Sequence, residues 1–236
     1  MTDSVTTSHG ETLTRGGRSS TTVALAWLIA AIVAGVVVPV TLDAAIPVFT
    51  LLMLVGALVV LRRSGSTEAI GLGVPALHSF AAATLAATVS MTIAFGLAEV
   101  LWHPYRELVA RVAEADTPDS TFAWVVSGRH DLEAFVVYAA LVTMFAEEVA
   151  FRGVLLARLR RRGPGVAIAA TTLAFAALQS IAALQLSAAA AFGFLVVDTI
   201  VAVGLVGGAV AWRTGSIVPG LIGVTVANAV VVAGVT

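Results

Sequence analysis

The chain has 236 residues, 59% hydrophobic and 11% charged, with a formal net charge of −1 and no cysteine. A mean hydropathy of +1.01, with apolar runs of membrane-spanning length and the charges gathered between them, excludes a soluble globular domain. The absence of cysteine excludes a disulfide framework, a thiolate metal site and a cysteine nucleophile, and the uneven placing of the arginines reports membrane topology rather than a nucleic-acid partner.

Residues 1–22 are rich in Ser, Thr and Gly and read as a disordered cytoplasmic tail; residues 23–236 form one membrane domain. A first span covers 23–40. It is preceded by a long, weakly basic stretch and followed by no small-residue cleavage pattern, so it reads as a retained helix rather than a signal peptide. A turn around Asp43 and Pro47 leads to a second span, 48–61, closed by Arg62 and Arg63. A polar loop over 64–75 precedes a third span, 76–97, with His78 near the interface.

The long polar stretch 99–131 carries Glu107, Arg111, Glu114, Asp116 and Asp119 around apolar positions. It predicts a short amphipathic helix on the membrane surface followed by a loop. Trp102, Tyr105 and Trp124 fit an aromatic belt there, and His103 and His130 read as solvated. The remaining spans are 132–159, 166–186, 188–212 and 217–235. The 184–187 junction is barely polar, and Gly204 and Gly208 would let another helix approach closely.

Seven spans with a cytoplasmic amino terminus put nine arginines inside (Arg15, Arg18, Arg62, Arg63, Arg158, Arg160, Arg161, Arg162, Arg213). Only Arg106, Arg111 and Arg129 fall outside. This satisfies the positive-inside rule and makes the carboxyl terminus external, in a plasma-membrane protein. The expected fold is an all-α polytopic helical bundle of about seven transmembrane helices, its polar cavity lying between the fourth to seventh.

The fourth span holds the chemistry. Glu147, Glu148 and Arg152 lie within an apolar segment, where each charge costs about 2.5–3.5 kcal/mol at the centre of a membrane helix. Glu148 and Arg152, four residues apart, share a face and can pair. Glu147 projects about 100° away, free to face a cavity. If Arg158 marks the membrane edge, a rise of about 1.5 Å per residue puts Glu147 about 16 Å inside, near mid-bilayer. A neutralised structural knot is the alternative, although a lone structural pair has no need of a second carboxylate.

Later spans contribute Gln179, Asp198, Thr225 and Asn228, which need polar partners in hydrocarbon and so belong around the fourth helix. Two adjacent carboxylates in low dielectric do not readily both carry charge, so one can act as a base. Glu147 could take a proton from water while Arg152 holds Glu148 and Asn228 stabilises an oxyanion, which suits peptide-bond hydrolysis. Proton or ion coupling in a small transporter uses the same groups equally well, although no inverted repeat or broken-helix pair is visible.

Glu147, Glu148 and Arg152, continued by Phe151-Arg152-Gly153, match an E-E-x-x-x-R motif, and Arg213-Thr214-Gly215-Ser216-Ile217 matches an R-T-G-S-L/I helix entry. With these, residues 137–235 resemble the CPBP family of intramembrane peptidases, which includes the type II CAAX prenyl endopeptidases and the bacteriocin self-immunity proteins. The resemblance implies a membrane endopeptidase of a zinc-metalloprotease type, acting on membrane-associated peptides or proteins in the lipid bilayer. Glu147 would be the general base, with Glu148, Arg152 and Asn228 as supporting residues. The family's F-x-x-x-H motif falls on Phe175 and Gln179, and its H-x-x-x-N motif on Val224 and Asn228. Both histidines are therefore replaced, by Gln179 and Val224, and a zinc site would have to draw on Glu147, Glu148 and Asp198. A catalytically inactive relative that binds a membrane peptide or protein is the corresponding alternative.

Overall fold

A computed structural model of the chain describes residues 53, 55, 56, 58–63, 65–73, 75–114 and 144–235. The expected amino-terminal tail, the first span, the loop with Trp124 and His130, and the start of the fourth span lie outside these residues. The second span is described only in part.

Among the described residues the chain is helical. Helix α1 is Leu77–Trp102 and α2 is Pro104–Glu114. Helix α3 runs continuously through Met144–Glu148, a π-helical stretch Val149–Leu155, and Leu156–Leu159. Helix α4 is Pro164–Ala183. Helix α5 is Ala188–Thr214, π-helical over Gly193–Gly207, and α6 is Val218–Val235. A 3-10 turn, Thr67–Ile70, precedes α1, and an isolated antiparallel bridge pairs Leu72 with Ser216.

The helices begin and end where local chemistry dictates. Gly163, at φ +88°, admits the chain to α4 in a conformation other residues avoid, and Pro164 follows at the first helical position, where its missing N–H costs nothing. Ser187 caps α5, its hydroxyl accepting from the Ala190 N–H, so the nearly apolar 184–187 junction is a tight turn. Helix α1 continues past the expected end at 97 to Trp102. His103 then takes a left-handed φ of 55°, and Pro104 opens α2.

Helix α2 is the amphipathic segment expected after 99, and two carboxylates fasten it. Glu99 Oε2 accepts from the backbone N–H of Tyr105 at 2.8 Å, satisfying an orphan donor at the helix start. Glu107 accepts from both the N–H and the hydroxyl of Ser187, each at 2.6 Å, tying α2 to the start of α5.

Four helices are long and apolar enough to cross a membrane: Leu77–Trp102, Pro164–Ala183, Ala188–Thr214 and Val218–Val235. The protein is an integral membrane protein. Helix α1 packs along α6 and α5, and α4 along α5. Two contacts show why small residues stand there: a Cβ on Gly223 of α6 would sit 2.8 Å from Ala87 Cβ of α1, and one on Gly204 of α5 would overlap Thr172 of α4. Gly208 also faces α4, at Ile168. The Gly204–Gly208 pair therefore makes a seam for α4, the packing such spacing permits in lipid. The core joins Phe95 and Tyr105 to Phe151, Phe175, Leu178, Ala202 and Val224.

Candidate functional site

The site forms where α4 crosses α3. Glu147, Glu148 and Arg152 are 7%, 3% and 3% exposed, so all three charges are withdrawn from the surface. Glu148 Oε1 lies 2.9 Å from Arg152 Nη1, an ion pair between residues four apart on one helix. The Arg152 guanidinium carbon also stands 4.2 Å from the centroid of the Phe175 ring. In a desolvated setting that stacking adds to the ion pair. Phe151 meets the same ring edge-on, with centroids 5.5 Å apart.

Glu147 also meets α4, one turn along from Phe175. Gln179 Nε2 donates to its Oε1 at 3.2 Å and to its Oε2 at 3.1 Å. Phe175 and Gln179 are one helical turn apart on α4, so a single face of that helix holds both members of the α3 cluster: the ring takes Arg152 and the amide takes Glu147. The π-helical stretch beginning at Val149 is the widened turn that carries Arg152, a feature frequent at functional sites. Spacing alone does not reveal it.

Helix α6 supplies Val224 and Asn228. Val224 is 1% exposed and packs in the apolar core, with no polar role open to its side chain. Asn228 Nδ2 donates to the Val224 carbonyl at 3.0 Å and to the Met144 thioether at 3.4 Å. Met144 is three residues before Glu147, so the amide stands beside the start of α3, on the side of the glutamates rather than across the bundle.

Asp198 belongs to a different group. It is 2% exposed, and its electrostatic neighbours are Glu99 and Tyr105 rather than the Glu147 cluster. The Tyr105 hydroxyl is placed to donate to the Asp198 carboxylate. Tyr105, expected in an interfacial belt, is instead buried, its ring 5.7 Å from that of Phe95. Burial foremost, then the Asp198 carboxylate, pushes the Tyr105 hydroxyl well above its ordinary value, so the phenol stays protonated. Sequence reasoning missed Glu99 and Tyr105. The available signal was an acid ending an apolar run just ahead of Pro104, which marks a cap for the next helix.

The donor set does not fit zinc. An amide and an isopropyl group stand where imidazoles would be needed, and one of the two neighbouring carboxylates is committed to Arg152. The arrangement offers a glutamate oriented by an amide, a neighbouring carboxylate neutralised by arginine, and a second amide on α6.

A family model described as type II CAAX prenyl endopeptidase Rce1-like matches residues 130–230, which contain all of these groups except Glu99 and Tyr105. No curated protein and no solved structure matches the chain.

Proposed function

We propose, from the match of residues 130–230 to the Rce1-like model of type II CAAX prenyl endopeptidases, that the chain is a CAAX-protease-like intramembrane endopeptidase in which Glu147 is the general base. The observation that carries this reading is the pair of hydrogen bonds from Gln179 to Glu147. They fix the carboxylate with an amide that stands where an imidazole would otherwise be, and leave lone pairs on both oxygens free to accept from water.

In this mechanism Glu147 takes a proton from a water molecule as its oxygen attacks the carbonyl carbon of the scissile peptide. The carbonyl π electrons move to oxygen, and the Asn228 amide receives the resulting oxyanion after giving up its weak thioether acceptor on Met144. Collapse breaks the C–N bond, and Glu147 returns its proton to the leaving nitrogen. The Glu148–Arg152 pair keeps the neighbouring charge neutral so that Glu147 can work as a base. The peptide comes from a membrane-associated protein. The amino terminus is cytoplasmic, the membrane is the plasma membrane, and the arginine-rich end of α3 faces the cytoplasm.

The test is cleavage of tail-like and transmembrane peptides by purified full chain in proteoliposomes. Glu147→Gln is expected to lower turnover at least 100-fold, in the range assigned to general-base catalysis of about 10²–10⁴. Wild-type turnover that survives this substitution sinks the assignment.

The burial of Val224 favours a second reading, that of a relative which binds a membrane peptide without cutting it. Peptide retained by the full chain with no product over long incubation would select it. A related experiment restores both missing groups. Gln179→His with Val224→His is expected to confer zinc binding, read by isothermal titration, because two imidazoles and Glu147 complete a three-ligand set. Absence of zinc uptake by the folded double variant would mean that α4 and α6 do not converge on Glu147.

A further inference from the structure

Beyond the glutamate site, the end of α3 opens into a cavity of ≈ 320 Å³. Its walls are the 3-10 turn Thr67–Ile70 with the residues after it, the outer part of α3, and the turn between α5 and α6. The walls are tied together: the Ile217 N–H donates to the Gly71 carbonyl at 2.8 Å, beside the Leu72–Ser216 bridge. Arg152 belongs to the lining, but Glu147 does not.

Two lining residues carry opposite charges and no ion pair joins them among the described residues. Glu68, on the 3-10 turn, is exposed and has no side-chain partner for its carboxylate among the described residues. Arg160 uses Nη2 to donate to the carbonyls of Ala211 at 3.2 Å and Trp212 at 3.1 Å, with its guanidinium carbon 5.2 Å from the Trp212 ring centroid. Its Nε and Nη1 have no hydrogen-bond partner among the described residues. The surrounding end of the molecule is the basic one, with Arg62, Arg63, Arg161, Arg162 and Arg213 all exposed. Such a ring of arginines lies at headgroup depth.

A simple anion in this cavity would face Glu68, and a simple cation would face Arg160, the Arg152 guanidinium being buried on Glu148. A ligand with both charges a few ångströms apart satisfies each wall. Among the described residues no aromatic side chain lines the cavity, so there is no cage for a quaternary ammonium. A primary ammonium, which can donate hydrogen bonds to a carboxylate, is the matching cation. We propose that this cavity binds a phosphoethanolamine headgroup, its phosphate on Arg160 and its primary ammonium on Glu68. The site shares only the buried Arg152 with the glutamate cluster, and it stands whether or not the chain cleaves peptides.

The experiment is native mass spectrometry of the full chain in detergent, titrated separately with phosphatidylethanolamine, phosphatidylcholine and phosphatidylglycerol. Phosphatidylethanolamine is expected to bind at least tenfold more tightly than the other two. Glu68→Gln should erase that preference, and Ala157→Leu, which places a larger side chain in the cavity from an exposed position, should abolish the tight adduct. Equal or tighter binding of phosphatidylglycerol overturns the proposal, as does a preference unchanged in both variants. Should Ala157→Leu fail to fold, Glu68→Gln decides alone. Competition with water-soluble glycerophosphoethanolamine identifies the source. Displacement at equal concentration means a free ester, and resistance to displacement means the lipid; either supports the headgroup chemistry.

Discussion

Arg152→Met is expected to destabilise the protein by about 3–5 kcal/mol, the cost of leaving a buried charge without its partner. The guanidinium has two tasks. It neutralises Glu148 at 2.9 Å and covers the face of Phe175 at 4.2 Å. Methionine preserves much of the apolar contact but none of the charge, so the Glu148 carboxylate would stay 3% exposed in an apolar surround. The measurement is the unfolding midpoint in a fixed detergent, with Glu148→Leu/Arg152→Met made alongside. Removing both charges should recover most of the loss, because the penalty belongs to the uncompensated ion and not to the missing contact. A double variant as unstable as the single one would show that Arg152 acts through packing alone.

Gly153→Val is expected to cost about 1–3 kcal/mol, toward the upper end, as overpacking of a closed contact. A Cβ at Gly153 would overlap the Ile70 carbonyl, and one at Gly71 would stand 2.8 Å from Gly153 Cα. Two backbones touch here with no side chain between them. The obstructing atoms are main chain, so relief requires the Thr67–Ile70 turn to move away from α3, which strains the Ile217–Gly71 hydrogen bond. Two readouts apply: a lower unfolding midpoint, and faster hydrogen exchange at the Ile217 amide. An unchanged midpoint together with unchanged exchange would mean that the turn does not rest on α3 as described. The effect differs in kind from that of Arg152→Met, since no second substitution at a side chain can restore the close approach.

Much of the site was legible as spacing along single helices. Glu148 with Arg152, Phe175 with Gln179, and Val224 with Asn228 are each four residues apart, and helical geometry puts the members of each pair on one face wherever the helix sits. The polar helix of α2 was legible from its amphipathic pattern, whereas Tyr105 on it was misplaced. An aromatic residue beside a membrane interface carries no mark that separates a belt position from a buried one, and only the Phe95 ring and Asp198 decide the matter.

Local chemistry written in the sequence determined that this chain is helical and lies in a membrane, where its helices start at Gly163-Pro164 and Ser187, and that two glutamates and an arginine are buried together. Those properties follow from run length, capping residues and the cost of lone charges in hydrocarbon. The tertiary structure decided the partners between helices: Gln179 on Glu147, Asp198 beside Tyr105 and Glu99, and Gly153 against Ile70. The physical reason is that these spans are apolar on nearly every side. No hydrophobic stripe fixes how each helix is rotated, and the π-helical turns in α3 and α5 shift the phase further, so the facing residues are chosen by close packing at small residues.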